Sequence, residues 1–382
     1  MAAGAAASLK HDTQSRRRAM ARRRRTQVLH SNHRRILLGL GAIAAFALPA
    51  VPAQAQVSAS VSSGANVRWV GGDADNNVRF TLSGSSIIVD DVVPLAIGTG
   101  CAPVAGDPTK ANCVAPKAGN DFKDVVALAG LGNDRVVNSS GVPMQGNGGP
   151  GNDTLIGDLK AKDMLTGSSG NDELHGLGGF NELDGGTGDD QLLGGVSPDK
   201  MKGGFGNDQL DGGGSDDVLD GGFGSDVIDG GAAGISVNER HDRVLYGDRS
   251  ARVVVDLTRF DATQGEVGEA DTIREIEDVV TGNGGDSILG NEFANSIDAG
   301  AGNDSVHGRD GRDQIVGGLG SDFLLPSSPP NLVIPFGAVP DGDVDVVDCG
   351  AIGPNPADPG DVGFRVLSDG DLIHDCATVF NQ

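Results

Sequence analysis

The sequence predicts an all-β chain whose middle winds as a solenoid of short strands, and three observations predict it. A nine-residue period runs through much of the chain, an aliphatic residue recurs once in each period, and Gly is the commonest residue at 62 while aromatics make up only 4%. So few Phe, Tyr and Trp cannot fill an ordinary core. Order must then come from stacking small similar units, each too small to bury a core by itself.

In chain order, residues 1–55 read as an export signal. Arg22 to Arg25 and Arg34-Arg35 precede the apolar run 36–52, and Ala53-Gln54-Ala55 is a small-x-small cleavage site that would leave Gln56 first. A membrane anchor is the alternative, but Pro49, Pro52 and the shortness of the run weigh against it. The Arg pair fits a Sec or a twin-arginine route. No later apolar run is long enough to span a bilayer once the signal is gone.

The charge is segregated. Of 29 basic and 53 acidic side chains, ten and one lie within 1–35, so the remaining 19 and 52 leave the rest near -33. Such a surface repels nucleic acid and anionic membrane. Acidic, Gly-rich and poor in aromatics, it stays unfolded in plain water unless cations neutralise it.

Residues 56–128 read as a β-rich capping region, from the strand-like runs SASVSS, NVRWV, NNVRFTL and SSIIVDDV between turn residues. Trp69 is expected to pack in it. Four cysteines in an exported chain suggest two disulfides. Of three connectivities, the local one is expected: Cys101–Cys113 and Cys349–Cys376.

The repeat follows. GGPGNDTLI at 148–156 recurs as GGTGDDQLL (185–193), GGFGNDQLD (203–211) and GGFGSDVID (221–229), a template G-G-x-G-x-D-x-U-x with U aliphatic. The register is unbroken over 167–229 and resumes over 281–325. Position U holds Leu155, Leu165, Leu174, Leu183, Leu192, Met201, Leu210, Leu219 and Ile228, then Ile288, Ile297, Val306, Ile315 and Leu324. Stacked coils would turn these into a continuous apolar column. A flexible Gly/Asp linker has no reason to keep that register.

These units resemble the RTX, or haemolysin-type, calcium-binding nonapeptide repeat. The resemblance covers roughly 129–229 (block one) and 281–325 (block two). It implies a right-handed parallel β-roll with two units per coil, six residues forming a Ca²⁺-binding turn and three a strand. The spacing suits the chemistry, since Ca²⁺ takes about 6–8 oxygens. Glycines permit tight turns that present carbonyls, and the sixth-position Asp adds a carboxylate.

The ligands implied are those of the intact turns. They are Gly130, Gly132 and Asp134; Gly149, Gly151 and Asp153; Gly170 and Asp172; Gly186, Gly188 and Asp190; Gly204, Gly206 and Asp208; Gly222, Gly224 and Asp226. Block two adds Asp286, Gly302, Asp304, Asp313, Gly320 and Asp322. The turns from Ala129, Gly148, Gly167, Gly185, Gly203 and Gly221 are intact and spaced 18 or 19 residues apart, while those between them are degenerate. One edge of the roll is therefore expected to hold a column of about five Ca²⁺, and the other few or none. In block two the turns from Thr281, Ala299 and Gly317 look intact, that from Gly290 degenerate and that from Gly308 intermediate. Because 148–229 carries 17 acidic residues against four Lys, ion binding and folding are expected to be coupled.

Residues 230–280 interrupt the period with strand-like runs and read as elaborated coils, a helix over 271–279 being the alternative. Residues 326–382 read as a Pro-rich loop and a disulfide-tied C-terminal cap. Asp341, Asp343 and Asp345 lack the Gly and the acid of an EF-hand loop.

No catalytic set is visible. There is no H-E-x-x-H or G-x-S-x-G, and the Gly pattern precedes no predicted helix. The expectation is a secreted, monomeric, non-enzymatic Ca²⁺-binding protein with a structural or surface-interaction role. The alternative is a secreted adhesin or hydrolase with its site in 56–128 or 230–280. The sequence points to no particular protein or glycan partner.

Overall fold

A computed structural model describes residues 56–63, 65–115, 122–231 and 241–325, with five further short strands between 332 and 380. The expected signal segment and the Cys349–Cys376 pair lie outside the described residues. Every regular element described is a strand, and no helix is long and apolar enough to cross a membrane. The strands form a parallel solenoid of about 11 turns.

Each repeat strand pairs with the strand two units on. In one sheet Leu155 lies beside Leu174, Leu174 beside Leu192, Leu192 beside Leu210 and Leu210 beside Ile228. In the facing sheet Leu165, Leu183, Met201 and Leu219 line up in the same way. Successive units thus alternate between two sheets, and two units make one coil. Strands such as Thr154–Ile156 bury only their central residue. All fourteen aliphatic residues at position U are at most 2% exposed. Each such burial contributes about 1.5–3 kcal/mol.

Residues before 128 extend both sheets. Val67–Val70 pairs in parallel with Val125–Leu128, and Asn77–Ser83 with Arg135–Ser139. Beyond them the pairing turns antiparallel, through Ser58–Val61 on one sheet and Ser86–Asp90, Asp107–Val114 and Cys101–Val104 on the other. Here the core gains rings: Trp69 and Phe80 are fully buried, and the Trp69 Nε1 donates to Asp91 Oδ2 at 3.1 Å. The Cys101–Cys113 disulfide forms between directly opposed residues of the outer hairpin.

The segment 243–280 remains in the solenoid. Arg243–Leu245 and Asp278–Val280 join the sheet of Leu165 and Thr272–Arg274 the sheet of Leu155, so strands occupy the stretch for which a helix was the alternative. Val253–Asp256 starts a third sheet that block two continues through Ser287–Leu289, Ser305–His307 and Phe323–Leu325. The ladders also run past 325, where Leu332–Ile334 and Val346–Asp348 continue them in place of an abrupt end.

Candidate metal centre in the stacked turns

The turns 129–134, 148–153, 167–172, 185–190, 203–208 and 221–226 all lead into the sheet of Leu155 and stack in one column. In each, positions two and four have positive φ, as at Gly186 (109°) and Gly188 (125°). Gly is needed there for space as well as for φ. A β-carbon on Gly188 would fall 2.0 Å from the Gly170 carbonyl oxygen one coil back, and one on Gly186 would fall 2.3 Å from that of Ser168. Carbonyls are thereby aimed from each turn at the bare backbone of the next. Ser168 alone among these positions is not Gly, and holds φ at 89°.

The sixth-position carboxylates form a second ladder. Oδ1 of Asp153 accepts the Asp134 N–H at 2.7 Å, and the pattern repeats through Asp172, Asp190, Asp208 and Asp226 at 2.7–2.8 Å. These side chains are at most 2% exposed, yet Oδ2 of Asp134, Asp153, Asp172, Asp190, Asp208 and Asp226 has no protein partner. A buried, unmatched carboxylate oxygen is costly. A hard cation satisfies it, and aligned carbonyls complete the oxygen set that Ca²⁺ prefers. Among the described residues no three His, Cys, Asp or Glu side chains cluster, so backbone carbonyls must supply most ligands.

Two features escaped the sequence reading. The first is a ladder at position five, where the N–H groups of Asn152, Asn171, Asp189, Asn207 and Ser225 donate to the side-chain oxygen of the residue one coil back. The signal was present: position five, left as x in the template, is Asn or Asp in five of these six turns and Ser in the last. The second is a further turn at the head of the column. Residues 71–76, GGDADN, precede Asn77–Ser83; the Asn76 N–H donates to Asp134 Oδ1 at 2.6 Å, and the Asn133 N–H to Asp75 Oδ1 at 2.8 Å. Asn in the sixth place, and 52 residues before the next such turn, hid it from the period.

The opposite edge shares the carboxylate ladder, since Asp199 and Asp217 also keep a buried, unmatched Oδ2. The edges differ in backbone. Paired positive φ occurs at Leu177 with Gly179 and at Gly213 with Ser215, but the turn between them has it only at Gly195. From 157 to 217 no two neighbouring turns on that edge both present the paired geometry.

In block two the paired geometry returns at Gly300 with Gly302 and at Gly318 with Gly320. Asp286, Asp304 and Asp322 are linked there, N–H to Oδ1, at 2.7 and 2.9 Å. One expectation, an intact turn at Thr281, needs correction. The Thr281 turn has no residue with positive φ, and its Gly282 and Gly284 sit against the carbonyls of Arg249 and Ala251, which belong to no repeat turn. Asp313 belongs to the opposite edge, where its Oδ1 accepts the Asn295 N–H.

Burial, opposed by the N–H bonds, pushes Asp153, Asp172 and Asp190 up to about 6, and Asp208 and Asp226 to about 7. Between roughly pH 4 and 7 the ion-free fold therefore holds more protons than the unfolded chain, so its stability falls as pH rises. Ca²⁺ competes with those protons, so calcium affinity is expected to rise from pH 5 to pH 8. Calorimetric titrations at both values check this, and equal affinities would count against carboxylate ligation.

A family model, the RTX calcium-binding nonapeptide repeat, matches four segments: 147–159, 166–201, 202–233 and 289–324. No curated protein matches the chain. The matched segments coincide with the stacked turns and their strands. These four segments are thus RTX nonapeptide repeats, of a kind that binds multiple Ca²⁺ ions.

Proposed function

We propose that this is an exported, non-enzymatic structural protein whose folding is driven by Ca²⁺ held between the stacked turns of one edge. The proposed ligands are the carbonyls and sixth-position carboxylates of 129–134, 148–153, 167–172, 185–190, 203–208 and 221–226. In block two the turns 299–304 and 317–322 serve likewise. The observation that carries this reading is the run of six consecutive turns, each with a buried carboxylate oxygen lacking a protein partner beside aligned Gly carbonyls. Residues 56–128 act as the cap that ends the solenoid, since their antiparallel hairpins replace a bare parallel edge.

Single substitutions test the two-edge asymmetry. Asp208→Ala is expected to remove about one or two ions from the calorimetric stoichiometry, because each turn faces two gaps. Asp199→Ala, on the other edge, is expected to leave the stoichiometry unchanged. Equal losses from both would refute a single-edge column.

A further inference from the structure

Past the turn 221–226, the next sixth-position carboxylate is Asp271. Its Oδ1 accepts the Asp226 N–H at 2.8 Å, as in the turns before it. There the second carboxylate oxygen lacks a protein partner, but here it has one: the Tyr246 hydroxyl donates to Asp271 Oδ2 at 2.7 Å. Tyr246 is itself buried.

Three residues on, the Arg249 side chain is fully buried, and its Nε and Nη2 have no hydrogen-bond acceptor. The guanidinium lies 4.2 Å over the ring of Phe223, the third residue of the last turn. Nε is 3.8 Å from Glu266 Oε2, and Nη2 is 3.8 Å from Glu269 Oε1. Glu269 Oε1 also accepts the Gly224 N–H at 3.4 Å. One coil earlier the equivalent N–H, on Gly206, donates to the Phe223 carbonyl at 2.9 Å. A carboxylate has thus taken the place of a turn carbonyl, and a side-chain cation stands against it. The Arg249 N–H donates to the Tyr246 carbonyl at 3.0 Å, so both side chains project from one tight turn.

We propose that the turn Tyr246–Arg249 replaces calcium at the junction of the two repeat blocks, its guanidinium standing for the ion and its hydroxyl for the contact the ion makes with the carboxylate. The junction coil then keeps its geometry without metal, and the two ion columns are joined by a calcium-independent clasp. Charge explains why this works. Glu266 and Glu269 are mostly buried, with side chains 16% and 12% exposed, and need a positive partner at close range. The planar guanidinium provides one that also stacks on Phe223. Remove that charge and the two carboxylates form an acidic oxygen site open to a divalent cation.

This inference rests on the calcium reading above. The test is calorimetric calcium stoichiometry on the full chain, with Arg249→Gln and Arg249→Lys. Arg249→Gln is expected to bind one ion more than the unsubstituted chain, and Arg249→Lys, which keeps a positive charge, the same number. A folded Arg249→Gln variant with unaltered stoichiometry overturns the clasp, as does a gain in Arg249→Lys. If the unsubstituted chain binds no calcium, the calcium reading itself fails. Should Arg249→Gln not fold, hydrogen exchange on the unsubstituted chain in EGTA decides. Arg243–Leu245 and Thr272–Arg274 are expected to stay protected while Gln191–Gly195 and Gln209–Gly213 lose protection; equal loss overturns the proposal.

Discussion

Chelation with EGTA is expected to remove most of the β circular dichroism of the chain from Gln56 onward, and added Ca²⁺ to restore it. One ion present at about 100 times its Kd stabilises the fold by about 2.7 kcal/mol. About five such ions supply on the order of 13 kcal/mol, as much as the whole stability of an ordinary domain at about 5–15 kcal/mol. Without them, repulsion among 17 acidic residues over 148–229 and the unmatched Oδ2 of Asp153, Asp172, Asp190, Asp208 and Asp226 oppose the coil. Mg²⁺ is expected to restore little, because it demands tight octahedral geometry and sheds water reluctantly. Full β signal in EGTA would sink the proposed function.

Gly188→Val is expected to disrupt the column at its centre. The residue would sit at φ 125° with its β-carbon 2.0 Å from the Gly170 carbonyl oxygen. The strained backbone alone costs about 1–3 kcal/mol. The clash also pushes apart two turns that must share ions, so stoichiometry falls by about two. Gly84→Ala is the control. Gly84 also has positive φ, at 60°, but nothing lies within 4 Å of an added β-carbon. Its expected cost is about 1 kcal/mol with calcium binding intact. Calcium-dependent melting and calorimetry on both variants check this. A Gly188→Val chain that melts and binds like Gly84→Ala would show that the turns are not packed on one another as described.

Much of this molecule was legible because a period needs no tertiary information to be seen. The aliphatic register placed Leu155 through Ile228 in the core, and the intact turns marked Asp134 through Asp226 as one set. The recurrence of Asn and Asp at position five was visible too, but a ladder needs Asn133 and Asn152 to meet N–H groups of the next coil, and the stacking of coils sets that contact.

What the sequence by itself determined is whatever repeats: nine-residue units, their buried aliphatic column and the edge whose turns keep paired positive φ, since each follows from short-range backbone and burial rules applied identically to every unit. The tertiary structure decided whatever happens once: the turn 71–76 heading the column, the third sheet begun at Val253, and Arg249 and Tyr246 facing Glu266, Glu269 and Asp271. Those contacts join residues 17 to 25 positions apart, or 58 for Asn76 and Asp134, through loops of irregular length. Their closure depends on where the neighbouring coils have already placed the chain, and no local pattern encodes that.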